Sequence, residues 1–190
     1  MLPSLIGVIA SSGGAAAAAG DYESIATVTV GSGGSSSISF TSIPSTYQHL
    51  QIRLIARSDR TAINNDYLEM TFNSDTGASY SFHQLLGDGS TASANSGTSQ
   101  NNILVSRIAT TGGSASIFGG ILLDILDYDN TSKYKTTRSL GGADQNGSGL
   151  IYFNSGLWMN TSAITSITLK PSSTYVFQQY SSFALYGIKG

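Results

Sequence analysis

Side chains suited to acid–base chemistry are few in this sequence. It has two histidines, His49 on the polar face of a predicted strand and His83 directly after Phe82 in another. A Ser-His-Asp triad needs a histidine between a nucleophile and a carboxylate, and with 32 serines in the chain a serine near a histidine is uninformative. The G-x-S-x-G turn that presents a nucleophilic serine is missing. We therefore expect satisfied or exposed histidines and a protein that is not an enzyme.

The densest acidic cluster contains Asp124, Asp127, Asp129 and Asn130. Oxygen ligands this close in sequence could hold Ca²⁺ at a loop. The glycine and glutamate that complete an EF-hand loop do not follow them, so we expect Asp129 and Asn130 to form a turn instead. We therefore predict no metal site and no cofactor.

Pairs of carboxylates that flank a groove could hydrolyse glycosidic bonds. The candidate pairs are Asp66 with Glu69 and Asp124 with Asp127. Their spacing does not differ from that of ordinary surface acids. The sequence therefore assigns no catalytic residues.

Three aromatic residues close to one another, Tyr152, Phe153 and Trp158, are candidates for contact with a sugar or a protein. Aromatic rings stack on the apolar faces of sugars, but rings in β-rich segments more often lie in the core or at an interface. They are retained as candidate glycan-binding or interface aromatics.

The overall composition favours strands and limits the choice of partners. Charged residues make up 11% of the chain, and Gly, Ser and Thr supply most of its polarity. The net charge is −2 without a basic stripe, so we expect no nucleic-acid partner. Zero cysteines exclude disulfides and thiolate metal sites, and oligomerisation is one other route to a robust protein.

The stretch Phe118–Leu140 is predicted to be the central element. A nearly continuous run of Ile, Leu and Tyr is typical of a strand inside a sheet. Turn residues follow at 129–132, and the segment after them alternates as a half-exposed strand does. We predict a long β-hairpin around which shorter strands are arranged.

Other segments alternate with period 2, most clearly the one that contains Leu50, Ile52 and Leu54. Polar, glycine-rich segments at Gly87–Gln100 and Gly141–Gly149 are predicted loops, and the Asn146-Gly147 pair within the second signals a tight turn. About eleven strands at short spacing predict an all-β antiparallel β-sandwich over residues 21–190, jelly-roll-like in type.

Residues 1–20 differ in composition from the rest and are predicted to be an apolar N-terminal arm. They lack the positive residues that begin a signal peptide, and the apolar run is too short to cross a bilayer, so we expect no membrane association. The arm is expected to dock on a neighbouring subunit, with the alternative that it folds back on its own domain. The predicted anchoring residues are Leu2, Leu5, Ile6, Val8 and Ile9.

Four stretches together resemble small virion-associated proteins of tailed bacteriophages, a group common in aquatic phages. They are ESIATVTVGSGGSSSISFTSIPSTYQHLQIRLIARS, FNSDTG, SGLWMNTSAITSITLKP and QQYSSFALYGIKG. The resemblance covers residues 23–190 and leaves the arm unmatched. It implies a particle-surface protein assembled in the bacterial cytoplasm, and it brings no catalytic residues with it.

Two hypotheses follow from the resemblance and the composition. The first is a capsid decoration or cement protein that is anchored by the arm to the major capsid protein and forms a homotrimer. The second is a receptor-binding tail-fibre or adhesin domain that uses its loops to recognise glycans on the host surface. A depolymerase ranks last, because no acid–base pair or triad can be assigned.

Overall fold

The computed structural model describes residues 20–190, which form twelve β-strands and no helix. The strands are β1 (Tyr22–Thr29), β2 (Ile38–Phe40), β3 (His49–Ser58), β4 (Asn65–Phe72), β5 (Tyr80–Gly87), β6 (Ala92–Gln100), β7 (Ile103–Thr110), β8 (Gly119–Leu126), β9 (Lys135–Asp144), β10 (Gly149–Trp158), β11 (Ile167–Pro171) and β12 (Ser182–Ile188). The predicted anchoring residues of the arm lie outside the described residues.

The strands form two layers that are joined at one place. The larger sheet has the order β1-β12-β3-β8-β9-β10-β5-β6, and the smaller has the order β2-β11-β4-β7. The end of β3 joins them, because Arg57 and Ser58 pair in parallel with Ala109 and Thr110 of β7. The other ladders between the described strands are antiparallel. The predicted all-β sandwich is confirmed.

The core lies between the two sheets and follows from the period-2 pattern. Leu50, Ile52 and Leu54 of β3 alternate with more exposed residues and point into it. Leu68 and Met70 face them from β4 with no exposed surface. Burial of such side chains is the main favourable term in folding, so the inner faces of β3 and β4 form a central part of the hydrophobic core.

The predicted central hairpin is confirmed. β8 and β9 pair from Leu126–Thr136 to Gly120–Gly142, and they occupy the two middle places of the larger sheet. The turn between them closes as predicted, because the Asn130 side chain accepts a hydrogen bond from the Ser132 backbone N–H at 2.8 Å.

The predicted loop Gly87–Gln100 is wrong over most of its length. Residues 92–100 form β6, an edge strand that pairs with β5. Gly97 is needed there, because a Cβ atom at this position would lie 2.6 Å from the Phe82 ring. Pairing with a well-formed neighbour thus overrides the low strand propensity of Ser, Ala, Asn and Gly.

The predicted loop Gly141–Gly149 is shorter than expected. β9 continues to Asp144, and β10 begins at Gly149. Asn146 and Gly147 have φ angles of 59° and 100°, so the tight turn predicted at this pair is confirmed.

Candidate functional site

The outer face of the larger sheet carries a continuous row of exposed apolar side chains, which we call the outer apolar stripe. Its six members are 38–59% exposed. They are Ile55 of β3, Leu122 of β8, Leu140 of β9, Ile151 and Phe153 of β10, and Leu85 of β5. Scattered exposed apolar residues are common on proteins, but a contiguous set usually marks an interaction surface.

Strand register brings the stripe together. Leu140 lies between Leu122 and Phe153 in the ladder, and Phe153 pairs in turn with Leu85. Directly opposed side chains on one face have Cβ atoms about 4.5–5.5 Å apart, so these four form one ridge across four strands. The six members are spread over the sequence from residue 55 to residue 153, which explains why their proximity was not predicted.

Beneath the stripe, several inward-facing residues of β9 and β10 are polar. Lys135, Thr137, Ser139 and Asn154 are all buried, although β10 also buries two aromatic rings. The usual alternation of these two strands is therefore partly inverted, because polar side chains occupy inward positions while apolar members of the stripe face solvent.

A β-bulge in β7 explains part of this inversion. Leu68 pairs with Ser106 and Glu69 with Leu104, so Val105 is left without a partner in the ladder. Its carbonyl accepts hydrogen bonds from the Ser139 hydroxyl and the Asn154 amide instead. A buried carbonyl needs such donors, which accounts for polar residues at these inward positions.

Two shallow depressions lie along the stripe. One has a volume of about 240 Å³ and only apolar side chains in its lining, among them Leu140, Ile151 and Phe153. The other, of about 340 Å³, lies beside Ile55 and Leu122. Such depressions suit apolar side chains that project from a partner.

A third depression, which we call the Phe153 groove, lies at the β6 end of the stripe. It has a volume of about 530 Å³, and polar side chains that include His83, Gln84, Asn95 and Ser155 surround the half-exposed Phe153 ring. An apolar ring beside amides, an imidazole and a hydroxyl could stack against a sugar and hydrogen-bond to its edges.

The three candidate aromatic residues do not form one platform. Tyr152 and Trp158 are each 1% exposed, whereas Phe153 faces solvent, because the alternation of β10 places it on the opposite face. Trp158 donates from Nε1 to Asp75 at 2.7 Å, and its ring packs against Phe72. Hydrogen bonds from the Ser79 hydroxyl, the Trp158 ring and the Gly77 backbone together lower the pKa of the Asp75 carboxyl. A glycan-stacking role for Tyr152 and Trp158 is wrong for the folded chain, because their rings are buried.

The histidines are not arranged for nucleophilic catalysis. His49 Nδ1 accepts a hydrogen bond from the Asp127 backbone N–H at 2.9 Å, which occupies the nitrogen that a triad would orient. His83 is exposed and lines the Phe153 groove. Neither imidazole is hydrogen-bonded to a serine among the described residues.

The carboxylates of the first candidate pair lie on opposite faces of β4, and each contacts other side chains. Asp66 is buried and accepts hydrogen bonds from Ser58 at 2.9 Å and Arg60 at 3.1 Å. Glu69 lies on the opposite face of β4 and forms an ion pair of 3.2 Å with Lys170. They cannot flank one groove.

The second pair and its neighbours belong to the surface of the central hairpin. Asp124 accepts hydrogen bonds from Gln51 and Arg138, both at 2.8 Å. Asp127 binds Lys133, which lowers the pKa of its carboxyl. Within residues 20–190, three or more His, Asp or Glu side chains do not converge as metal ligands.

The fold and the outer face together define a class: a β-sandwich with an exposed apolar stripe across its larger sheet. Comparison of the chain with protein-family models, with curated proteins and with solved structures finds no match. The part of the chain described here also contains no helix long and apolar enough to cross a membrane.

Proposed function

We propose that this protein is a non-enzymatic structural protein of a tailed bacteriophage particle, a capsid decoration or cement protein attached through its N-terminal arm. The resemblance of residues 23–190 to small virion-associated proteins supports the phage assignment. The anchoring residues are Leu2, Leu5, Ile6, Val8 and Ile9.

The outer apolar stripe is the main observation that supports a structural role. A row of six large apolar side chains across five strands gains free energy when a partner removes it from water, at about 25 cal/mol per Å². An enzyme would instead need reactive groups in a cleft, and the carboxylates and histidines described above are engaged elsewhere or dispersed. The surface therefore suits assembly better than catalysis.

The partners in this proposal are other virion proteins. The arm attaches copies to the surface of the particle, either on the major capsid protein or on a tail component, and the copies form a homotrimer. The protein is made in the host cytoplasm and located on the virion surface. Its net charge of −2 gives no reason to propose contact with the packaged nucleic acid.

Copy number on purified particles tests this proposal. Quantitative mass spectrometry should find hundreds of copies per particle for a head decoration protein, and a few to a few dozen for a tail or fibre protein. Deletion of residues 1–20 should abolish attachment to particles that lack the protein. Undiminished occupancy by the shortened chain would contradict attachment through the arm.

The Phe153 groove favours a second function, a receptor-binding fibre or adhesin domain that recognises host surface glycans. Only Phe153 of the three candidate aromatics is accessible to a sugar. Phe153→Ala should abolish binding on a glycan array, and Tyr134→Ala, at a ring that is 52% exposed outside the groove, should not. An array without any bound glycan would contradict this second function.

A further inference from the structure

We propose that the outer apolar stripe is the docking surface for the N-terminal arm of a neighbouring copy of this chain. The inference deepens the proposed function, and it rests on that proposal in one respect, the use of residues 1–20 as an attachment arm. It refines that use: the arm contacts a second copy of the same protein, and the assembled homotrimer then attaches to the particle.

The stripe resembles a surface that a partner protein covers. Monomeric proteins rarely expose contiguous apolar patches larger than a few hundred Å². Half of the members of the stripe lie on β9 and β10, where inward positions include Lys135, Ser139 and Asn154. The outer face of these two strands therefore carries aliphatic and aromatic side chains of the kind that a half-buried strand usually turns towards the core.

The arm has the composition that this surface requires. Residues 1–20 contain no charged residue, and the five predicted anchoring side chains are all aliphatic. The six side chains of the stripe are likewise uncharged, and Arg53 flanks them opposite Leu122. At Gly120, which is paired with Ile55, a Cβ atom would have no heavy atom of the described residues within 4 Å. An aliphatic side chain of the arm can enter the space above this glycine.

The lengths also match. The stripe crosses five neighbouring strands, from β3 to β5, which at about 4.8 Å between strands is a width of about 19 Å. Residues 2–9 in an extended conformation span about 26 Å at about 3.3 Å per residue. Residues 10–19 can bridge about 33 Å more, enough to reach a neighbouring molecule.

A cluster on the same face favours the neighbour's stripe over the chain's own. Tyr22 and Tyr186 stack with ring centroids 4.7 Å apart, and the Arg53 guanidinium lies 5.5 and 5.9 Å from their centroids. These side chains stand between the start of β1 and the stripe. An arm that ran straight from Gly20 to its own stripe would cross these side chains, whereas an arm that reaches a neighbouring stripe need not cross them.

Engineered cysteines test the contact directly, because the natural chain contains none. Full-length copies with Leu2→Cys, Leu5→Cys or Val8→Cys are mixed with full-length copies of different mass that carry Leu140→Cys, and are then oxidised. A disulfide needs Cα atoms about 4.4–6.8 Å apart, so only docking brings the two sulfurs together. At least one arm position should give a mixed dimer in high yield.

The matched control replaces Leu140→Cys by Ile63→Cys, an exposed position outside the stripe. The mixed dimer should then nearly vanish. Equal yields with the two positions would overturn the proposal. A double variant that forms the disulfide only within one chain would overturn it as well, because the arm would then dock on its own stripe.

Association in solution provides a second measurement. Ile151→Ser in the full chain should weaken self-association by at least about tenfold in sedimentation equilibrium, since an apolar side chain no longer becomes buried. Ile63→Ser should not weaken it. A wild-type chain that stays monomeric at all concentrations would contradict the proposal. These measurements use purified protein, so their outcome is independent of whether the protein is found on phage particles.

Discussion

Strands β3 and β10 lie in the same sheet but differ in what they bury. β3 buries the aliphatic Leu50 and Ile52 and turns Arg53 outward. β10 buries the polar Asn154 beside two aromatic rings and turns Phe153 outward. One sheet thus has two apolar faces: its inner face contributes to the core, and its outer face carries the stripe. The comparison shows that the apolar residues of this chain form an exposed surface as well as a core.

The largest loss of stability is expected for a substitution in the core, and it tests the contrast between the inner and outer faces most directly. Ile52→Ala should lower the free energy of unfolding by about 2–5 kcal/mol, because Ile52 is fully buried and its removal leaves a cavity. Ile151→Ala, an exposed isoleucine, should change it by less than about 0.5 kcal/mol. Urea denaturation at a concentration where the protein is monomeric measures both, and equal losses would contradict the contrast.

A smaller loss is expected beneath the stripe. Asn154→Ala removes a donor from the Val105 carbonyl and should cost about 1–3 kcal/mol. Ser155→Ala, at the exposed neighbour, is the control and should be nearly neutral. If urea denaturation found the two variants equally stable, the buried amide would not be needed to satisfy the bulge.

Two buried tyrosines allow a test of how hydrogen bonding of a buried polar group affects stability. The Tyr80 hydroxyl accepts a hydrogen bond from the Phe72 backbone N–H at 3.0 Å and donates one to the Asp75 carbonyl at 2.9 Å. The buried Tyr152 hydroxyl has no hydrogen-bond partner within residues 20–190. Tyr80→Phe should cost about 1 kcal/mol in thermal or urea denaturation. Tyr152→Phe should be neutral or stabilising, because it removes an unsatisfied polar atom. A larger loss for Tyr152→Phe would contradict this order.

The same two phenols predict an alkaline transition. Burial raises the pKa of Tyr80 and of Tyr152 to about 12. An exposed tyrosine titrates near about 10, so the folded state holds these protons more tightly than the unfolded chain does. The resulting stabilisation is complete below about pH 10 and is lost as the pH rises towards 12. Tyrosinate absorbance should therefore show a late step that coincides with unfolding; its absence would contradict their burial.

The smallest effect on stability is expected in the stripe. Leu140→Ser should change the free energy of unfolding of the monomer by less than about 0.5 kcal/mol, because the side chain is half exposed already. It should nevertheless reduce the fluorescence of an anilinonaphthalene sulfonate dye bound to the native monomer. Unchanged fluorescence would mean that the stripe does not act as an apolar surface.

Sequence reasoning succeeded where side-chain pattern and backbone agree. The alternation around Ile52 and the run before the Asn130 turn predicted β3 and the central hairpin, because buried strands need apolar residues and turns need side chains that bond to the backbone. The Asn146-Gly147 turn was found for the same reason, since both residues tolerate positive φ.

Prediction failed where pairing or contact between layers decides the conformation. β6 has few strand-forming side chains and exists because β5 provides a ladder for it. Gly141 was assigned to a loop, yet it lies within β9, where a Cβ atom would approach the Ser106 hydroxyl to 2.5 Å. The burial of Trp158 and the exposure of Phe153 were likewise undetermined, because no local signal fixes which face of β10 meets β7.

The place of β12 in the larger sheet has a consequence for biosynthesis. β12 follows the other described strands in the chain, yet it lies between β1 and β3 and pairs with both. β1 can therefore join the sheet only after Ser182–Ile188 has left the ribosome. A nascent or prematurely terminated chain without β12 would leave an open edge beside β3, so only copies that contain β12 would present the complete larger sheet to their neighbours.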